Sequence, residues 1–348
     1  MAGKGRARQI LFVPVSGSAG SGEVQRCSLL ADTLHASAPG ITSHFLLADG
    51  APAVAWPVTT LTGSPTRAIA EVQAAIRDIR PTVVVFDGNA RVATMKTARA
   101  VGARVVLVSS RPSARRRGFR LRRMACLCEH WLVGADVGAA RGWRERVGKW
   151  AQPGVAVRRF STLFAPPGPR PGKPGPPGLA GPYVVVCPGS GQHLLADCSS
   201  AELFGQAATI LAAEGVTTVA VAAPAAPPAI DAGSLDNATL MALLARADAA
   251  LLGGGSLLVQ ALALGVPVLA LPLQDEQASR VAWLAGRDAV VQASAADAKA
   301  LAGELHDLFA DAPERGRLQR AAAALELRNG LDEAVAALVA LAGTRGKR

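Results

Sequence analysis

The chain has 348 residues, half of them hydrophobic, with five cysteines and a formal net charge of +11. That length and apolar content suit two domains of ordinary size and leave out a small single module or a disordered polyelectrolyte. An odd number of cysteines without a short-spaced framework leaves out a disulfide scaffold and points to a reducing compartment.

The first fifteen residues, MAGKGRARQILFVPV, are basic and then apolar, as a signal peptide would be. The apolar run is short and a Gly/Ser-rich stretch follows at 16–22, so a first buried strand over 9–15 is the better reading. Further strand-type runs follow at 41–47, 82–86, 104–108 and 130–133, with helical patterns between them, as at 24–35 and 64–79.

The loop SGSAGSGEVQRC (16–27) joins the first strand to the first helix. Its glycines let a ligand approach free N–H groups at a helix start. The spacing is GxxGxG and not GxGxxG, which argues against a dinucleotide loop even though Asp49 ends the second strand. Gly20, Ser21 and Gly22 are candidates for an acceptor loop. Glu23 is either an N-terminal helix residue favoured by the helix dipole or a general base.

Charge is uneven. Residues 1–164 hold 24 Lys/Arg and 9 Asp/Glu, giving +15; residues 165–348 hold 13 and 17, giving −4. Seven arginines fall within 111–123. Of these, Arg115, Arg116, Arg117, Arg120, Arg122 and Arg123 form a candidate patch for a membrane surface or an anionic ligand, the plain alternative being a solvated basic loop. Cys126, Cys128 and His130 have a metal-like spacing but no second cluster, so buried thiols are preferred and no metal is expected.

Residues 165–182 contain eight prolines and five glycines and read as an extended linker. Beyond it, strands are expected at 183–187, 217–222, 249–253, 266–271 and 289–292. Helices are expected near 200–214, 238–247, 256–264, 277–285 and 294–310. Continuous apolar strands alternating with helices mean α/β architecture with parallel sheets covered on both faces. The expected organisation is two Rossmann-like doubly wound domains facing each other across a cleft: 1–164, the linker, 183–330, and a final helix and basic tail over 331–348. Ligands in such sheets lie at the carboxyl ends of the strands.

Residues 247–273 are apolar enough to suggest a membrane span, but Gly253–Gly255, Gly265, Pro267 and Pro272 divide them into a buried β-α-β unit. In PGSGQHL (188–194), Gly189, Ser190 and Gly191 offer donors to a phosphate, and His193 is a possible ligand contact. Gly253–Ser256 leads into a helix whose N-terminus suits a diphosphate. Gln260 lies on the same side as Ser256, either toward a ribose or as a satisfied core amide. Asp275, Glu276 and Gln277 fall on a further loop at this edge, within reach of sugar hydroxyls.

The stretch LMALLARADAALLGGGSLLVQALALGVPVLALPLQDEQ (240–277) resembles the C-terminal domain of GT-B glycosyltransferases, nearest to the group that contains the lipid II-forming N-acetylglucosaminyltransferase. It carries that group's Met-containing helix, "ADxxI", Gly-Gly-Ser loop, "EALAxGxP" and "P…DQ" pattern. GSGEVQRCSLLADTL (20–34) resembles the "GxGHxxRCxxLAxxL" of a related nucleotide-sugar hydrolase of pseudaminic acid synthesis. The resemblance implies that the second domain holds a nucleotide-sugar, usually a UDP-sugar. Gly254, Gly255 and Ser256 would meet the diphosphate, Gln260 the ribose, Asp275, Glu276 and Gln277 the sugar, and the loop at Asn237–Ala238 the base. The first domain would hold the acceptor, often at a membrane. Two positions depart from the pattern. Gln260 stands where the family has Glu, losing a charge-assisted bond. Glu23 stands where it has His, and a carboxylate is a weaker base than an imidazole.

The expected function is therefore an inverting glycosyltransferase, independent of metal and cofactor, moving a sugar from a UDP-sugar to a lipid-linked or other cell-envelope acceptor. It would be cytoplasmic and peripheral on the inner face of the membrane. A nucleotide-sugar hydrolase or epimerase, or a non-catalytic nucleotide-sugar-binding partner, are the alternatives. Nucleic acid is not an expected partner, since the chain has only 14 aromatic residues and no RNA-binding motif.

Overall fold

The computed structural model describes residues 8–15, 22–138, 142–168, 179, 181–189, 193–195 and 198–343. The chain forms two compact units, Met1–Leu163 with Gly330–Arg348, and Phe164–Asn329.

The first unit is built on strands β1 (Arg8–Pro14), β2 (Ile41–Ala48), β3 (Val58–Leu61), β4 (Val83–Asp87), β5 (Arg104–Ser109), β6 (Glu129–Val133) and β7 (Ala156–Phe160). All pair in parallel, in the order β3-β2-β1-β4-β5-β6-β7. Its helices are α1 (Gly22–Ser37), α2 (Ile69–Ile79), α3 (Val92–Ala100), α4 (Pro112–Gly118), α5 (Leu121–Met124) and α6 (Trp143–Ala151). The central strands read as unbroken apolar runs because helices cover both faces: Ile10–Val13, Val83–Phe86 and Val105–Val108 are all buried.

In this unit two strands escaped the sequence reading, β3 and β7, and both lie at sheet edges. An edge strand needs fewer apolar residues, so neither shows a continuous hydrophobic run. In β7 the outer positions are Arg158 and Arg159, paired with Glu129 and Glu145.

The second unit contains β8 (Val184–Cys187), α7 (Ser200–Ala213), β9 (Thr218–Ala220), β10 (Ile230–Asp231), α8 (Asn237–Leu244), β11 (Ala249–Gly253), α9 (Ser256–Ala263), β12 (Val268–Leu271), α10 (Asp275–Ala285), β13 (Val291–Gln292), α11 (Ala298–Ala310) and α12 (Ala312–Ala324). Its parallel sheet runs β10-β9-β8-β11-β12-β13. Residues 247–273 thus hold a buried strand, a helix and a buried strand. Among the described residues no helix is long and apolar enough to cross a membrane.

The last helix, α13 (Leu331–Gly343), packs on α1, β1 and β4 and so belongs to the first unit. Where the chain returns, the Gly330 N–H donates to the Thr162 carbonyl at 2.9 Å. A side chain at Gly330 would run into the Phe160 ring. The carboxamide of Asn329 accepts from the Phe164 N–H at 3.1 Å and donates to its carbonyl at 2.6 Å, which ties the outgoing and returning segments together.

Helix α7 starts at a capping box: Ser199 accepts from the Glu202 N–H, and the Glu202 carboxylate accepts from the Ser199 N–H. One turn later, Gly205 lies so close to the loop after β9 that a Cβ would fall on the Pro224 carbonyl. Gly205→Ala is expected to lower the stability of this unit by about 1–3 kcal/mol through overpacking. This outweighs alanine's helix-propensity gain of about 1 kcal/mol. Denaturant unfolding checks it, and an unchanged midpoint would mean that α7 does not touch this loop.

Candidate functional site

In the second unit the strand order reverses between β8 and β11. Ligands of doubly wound sheets bind outside the carboxyl ends of the strands at this switch point. Two loops leave it, one after Cys187 and one after Gly253, and a third follows β12.

The loop after β11 is fixed by close packing. A Cβ on Gly253 would stand 2.6 Å from the Pro188 carbonyl oxygen, and one on Gly254 would stand 2.9 Å from both Gln277 Cβ and Val281 Cγ2. Neither site has room for a side chain. Arg280 of α10 donates to the Gly254 carbonyl at 2.7 Å. At Gly255 the surroundings open: nothing lies within 4 Å of a Cβ, and α9 begins there without a side-chain cap. Exposed Ser256 occupies the first helical position. Uncapped N–H groups at the positive end of a helix dipole form an anion seat. Gln260 follows one turn later, half-buried.

The third loop closes on the other two. Gln277 accepts from the Leu273 N–H at 2.9 Å, so its amide oxygen shapes the loop. Gln274 meets His193 at 3.0 Å and joins the loop after β12 to the one after β8. Asp275 and Glu276 lie exposed at the start of α10. Gly189, at φ +94°, makes a turn that a side chain would strain. Ser190 and Gly191 lie outside the described residues. The structure thus brings Gly254, Gly255, Ser256, Gln277 and His193 to one edge. Asn237 is engaged elsewhere, accepting from the Ala165 N–H at 2.7 Å, and Ala238 is buried.

The first unit has its own switch point, between β1 and β4. Gly20 and Ser21 lie outside the described residues, and Gly22 is the exposed first residue of α1. Glu23 in the first turn of α1 is buried to 7% exposure. Its side chain runs beside Gly88, where a Cβ would stand 3.4 Å from Glu23 Cγ and Oε1. Arg111, just after β5, approaches Glu23 Oε1 at 3.8 Å.

Behind Glu23 is a fully buried ion pair that the sequence reading missed. Asp87, at the end of β4, accepts from Arg26 Nε and Nη2 at 2.7 Å each, and the Cys27 thiol approaches Oδ2 at 3.7 Å. Burial raises the Asp87 pKa to about 6 against the pull of Arg26, and the nearby charge of Glu23 adds to the rise. One signal was present: Asp87 is the acid that ends the apolar run TVVVF, where a strand meets its functional edge.

The arginine run divides into two sets. Arg115 is a correction to the expected patch: its guanidinium is held by Asp136 at 2.7 Å and by the Ser110 and Val133 carbonyls at 2.8 and 2.6 Å. It braces the chain after β5 and β6. Arg116, Arg117, Arg120, Arg122 and Arg123 make no ion pair among the described residues. Cys126, Cys128 and His130 turn to separate partners. Cys126 donates to the Arg122 carbonyl, Cys128 faces Arg99, and buried His130 meets Ser109 at 3.1 Å and stacks edge-on against Phe119. Burial and the surrounding arginines push His130 down to about 3, so it is a neutral core residue.

No family model and no curated protein matches this chain. Solved structures do. The glycosyltransferase SnogD from Streptomyces nogalater is similar over 97% of this chain and 100% of its own, at 20% identity and a TM-score of 0.60. The Streptomyces sp. SF2575 glycosyltransferase SsfS6, complexed with thymidine diphosphate, is similar over 96% and 100%, at 15% identity and a TM-score of 0.61. A putative UDP-N-acetylglucosamine 2-epimerase from Listeria monocytogenes is similar over 99% of both chains, at 12% identity and a TM-score of 0.57. The two parallel sheets, each wound on both faces, together with these likenesses over nearly the whole chain, give it the GT-B fold.

Proposed function

We propose that the protein is a glycosyltransferase that binds a pyrimidine nucleotide-sugar on its second unit and an acceptor hydroxyl on its first. The observation that carries this reading is the uncapped start of α9 at the switch point, with Gly253 and Gly254 packed tight and Gly255 open. The N–H groups there would hold the donor's diphosphate and stabilise its charge as the glycosidic bond breaks. Gln260 would hold the ribose, and Asp275, Glu276 and Gln277 the sugar. UDP is the nucleotide the sequence resemblance implies; the thymidine diphosphate of SsfS6 makes TDP the competing candidate. Glu23 would take the proton of the attacking hydroxyl, and attack opposite the leaving diphosphate would invert the anomeric centre.

A peripheral, membrane-side acceptor is supported by α6. Trp143, Val147 and Trp150 recur at i, i+4 and i+7 and are 68%, 44% and 85% exposed. Arg144, Arg146 and Lys149 lie among them. Tryptophans beside cations on one amphipathic helix suit the interface of an anionic bilayer.

The test is calorimetry of UDP, TDP, GDP and ADP against wild type and Ser256→Asp. An added carboxylate at the first helical turn favours the helix but repels a diphosphate. The variant should therefore melt no lower than wild type and bind the nucleotide at least about tenfold more weakly. Absence of nucleotide binding in wild type would overturn the reading. The epimerase likeness supports a second reading, turnover of the nucleotide-sugar without an acceptor; product analysis with donor alone distinguishes it.

A further inference from the structure

The unpaired arginines of the first unit are not spread over a solvated loop. Arg91, Arg120, Arg122 and Arg123 converge with Val92 and Leu121 on one hollow of about 380 Å³. Arg91 precedes α3, which starts without a side-chain cap; Arg120 precedes α5, which carries Arg122 and Arg123. Two segments separated by nearly thirty residues thus bring their charges to the same concavity.

The segment that carries them supplies no counter-charge. Residues 88–128 contain eleven Lys/Arg and no Asp/Glu. Among the described residues none of the four makes an ion pair. Arg91 Nε donates to the Thr66 carbonyl at 2.9 Å, which orients its guanidinium and uses one of its five donors. Arg123 is half-buried, and burial together with Arg117, Arg120 and Arg91 lowers its pKa. Holding like charges together costs stability, and among the described residues no carboxylate pairs with them.

We propose that this hollow is a phosphate-binding site, distinct from the nucleotide loops of the second unit, that takes a diphosphate or phosphate ester between Arg91 and the three arginines of the α5 segment. Planar guanidiniums match phosphate oxygens two at a time, and the hollow is large enough for a diphosphate. Among the described residues no aromatic ring lines it, so they offer no platform for a nucleobase. The site does not rest on the glycosyltransferase reading, since its residues all lie in the first unit.

Pyrophosphate is the probe, titrated calorimetrically into the full-length wild type, the Arg91→Gln/Arg123→Gln double variant and Ser256→Asp. The double variant is expected to lose at least tenfold in affinity, while Ser256→Asp retains this component. Because the double substitution removes mutual repulsion, its melting temperature should not fall; Arg122→Gln, an exposed position, is the second variant and should weaken binding several-fold. Equal affinity in wild type and both arginine variants would overturn the proposal, as would loss of all pyrophosphate binding in Ser256→Asp. A competition arm identifies the source of the phosphate. Displacement of pyrophosphate by phosphatidylglycerol vesicles, but not by phosphatidylcholine vesicles, assigns the site to an anionic lipid headgroup. Undisturbed binding assigns it to a soluble phosphate ester, and either outcome upholds the site.

Discussion

Asp87→Ala is expected to destabilise the first unit by about 3–5 kcal/mol, because it leaves the Arg26 guanidinium buried without its counter-ion. Arg26 is 6% exposed and Asp87 fully buried, so water cannot replace the lost carboxylate. The two partners respond to burial in a telling way. Burial pushes Asp87 up to about 6 against the pull of Arg26, while the Asp87 charge and hydrogen bonds push Arg26 up against its own burial, so attraction and desolvation are of similar size. A pair of this kind is costly to break and cheap to replace. Arg26→Met/Asp87→Leu should therefore recover most of the stability lost in Asp87→Ala. In thermal melts, the single variant should fall on the order of 10 °C for a unit of this size. A single variant within about 1 kcal/mol of wild type would show that the pair is hydrated and not buried.

The same residues show what could be read from the sequence. The parallel sheets were legible because strands covered on both faces have to be apolar throughout, and VVVF, RVVLV and AALLG are. The loop after β11 was legible for a related reason: a triple glycine between an apolar strand and an apolar helix serves no packing purpose unless backbones must approach closely. Gly253 and Gly254 do approach closely, and Gly255 opens outward. The edge strands β3 and β7 were not legible, since their residues answer to solvent and to ion pairs rather than to a core. Nor was the division of the arginine run. Seven arginines in thirteen residues look alike on paper, yet Arg115 is a brace because Asp136 and the Val133 carbonyl, 21 and 18 residues further on, converge on it with the Ser110 carbonyl five residues before it. Arg91 joins the others only because α3 starts beside α5. Partners that meet through the tertiary fold leave no local spacing to detect.

The return of α13 to the first unit illustrates a further limit. Its apolar sequence announced a helix, but not which unit would receive it. What decides is Gly330, which lets the chain pass against Phe160, and the N–H of that glycine, which finds the Thr162 carbonyl.

Glu23→Gln is expected to reduce turnover about 10²–10⁴-fold while leaving nucleotide affinity unchanged. The prediction follows from where the side chain stands. It lies at the switch point of the first sheet, next to Gly88, whose φ of +90° and missing side chain let the β4 loop pass within contact of it. The ion pair of Glu23 with Arg111 is 3.8 Å long and Arg111 is half exposed, so that pair contributes about 0–1 kcal/mol. Glutamine keeps the shape of glutamate but removes its charge and basicity and exchanges one acceptor oxygen for an NH2 donor. Stability should therefore change by less than about 1 kcal/mol, while proton transfer from the acceptor fails. Comparison with Arg111→Gln separates the roles. If Glu23 serves only to hold Arg111, the two variants should lose the same small stability and turn over alike. If it is the base, Glu23→Gln alone should lose kcat with calorimetric donor binding intact. Wild-type turnover by a correctly folded Glu23→Gln protein would remove Glu23 from the chemistry and return it to the helix terminus it occupies.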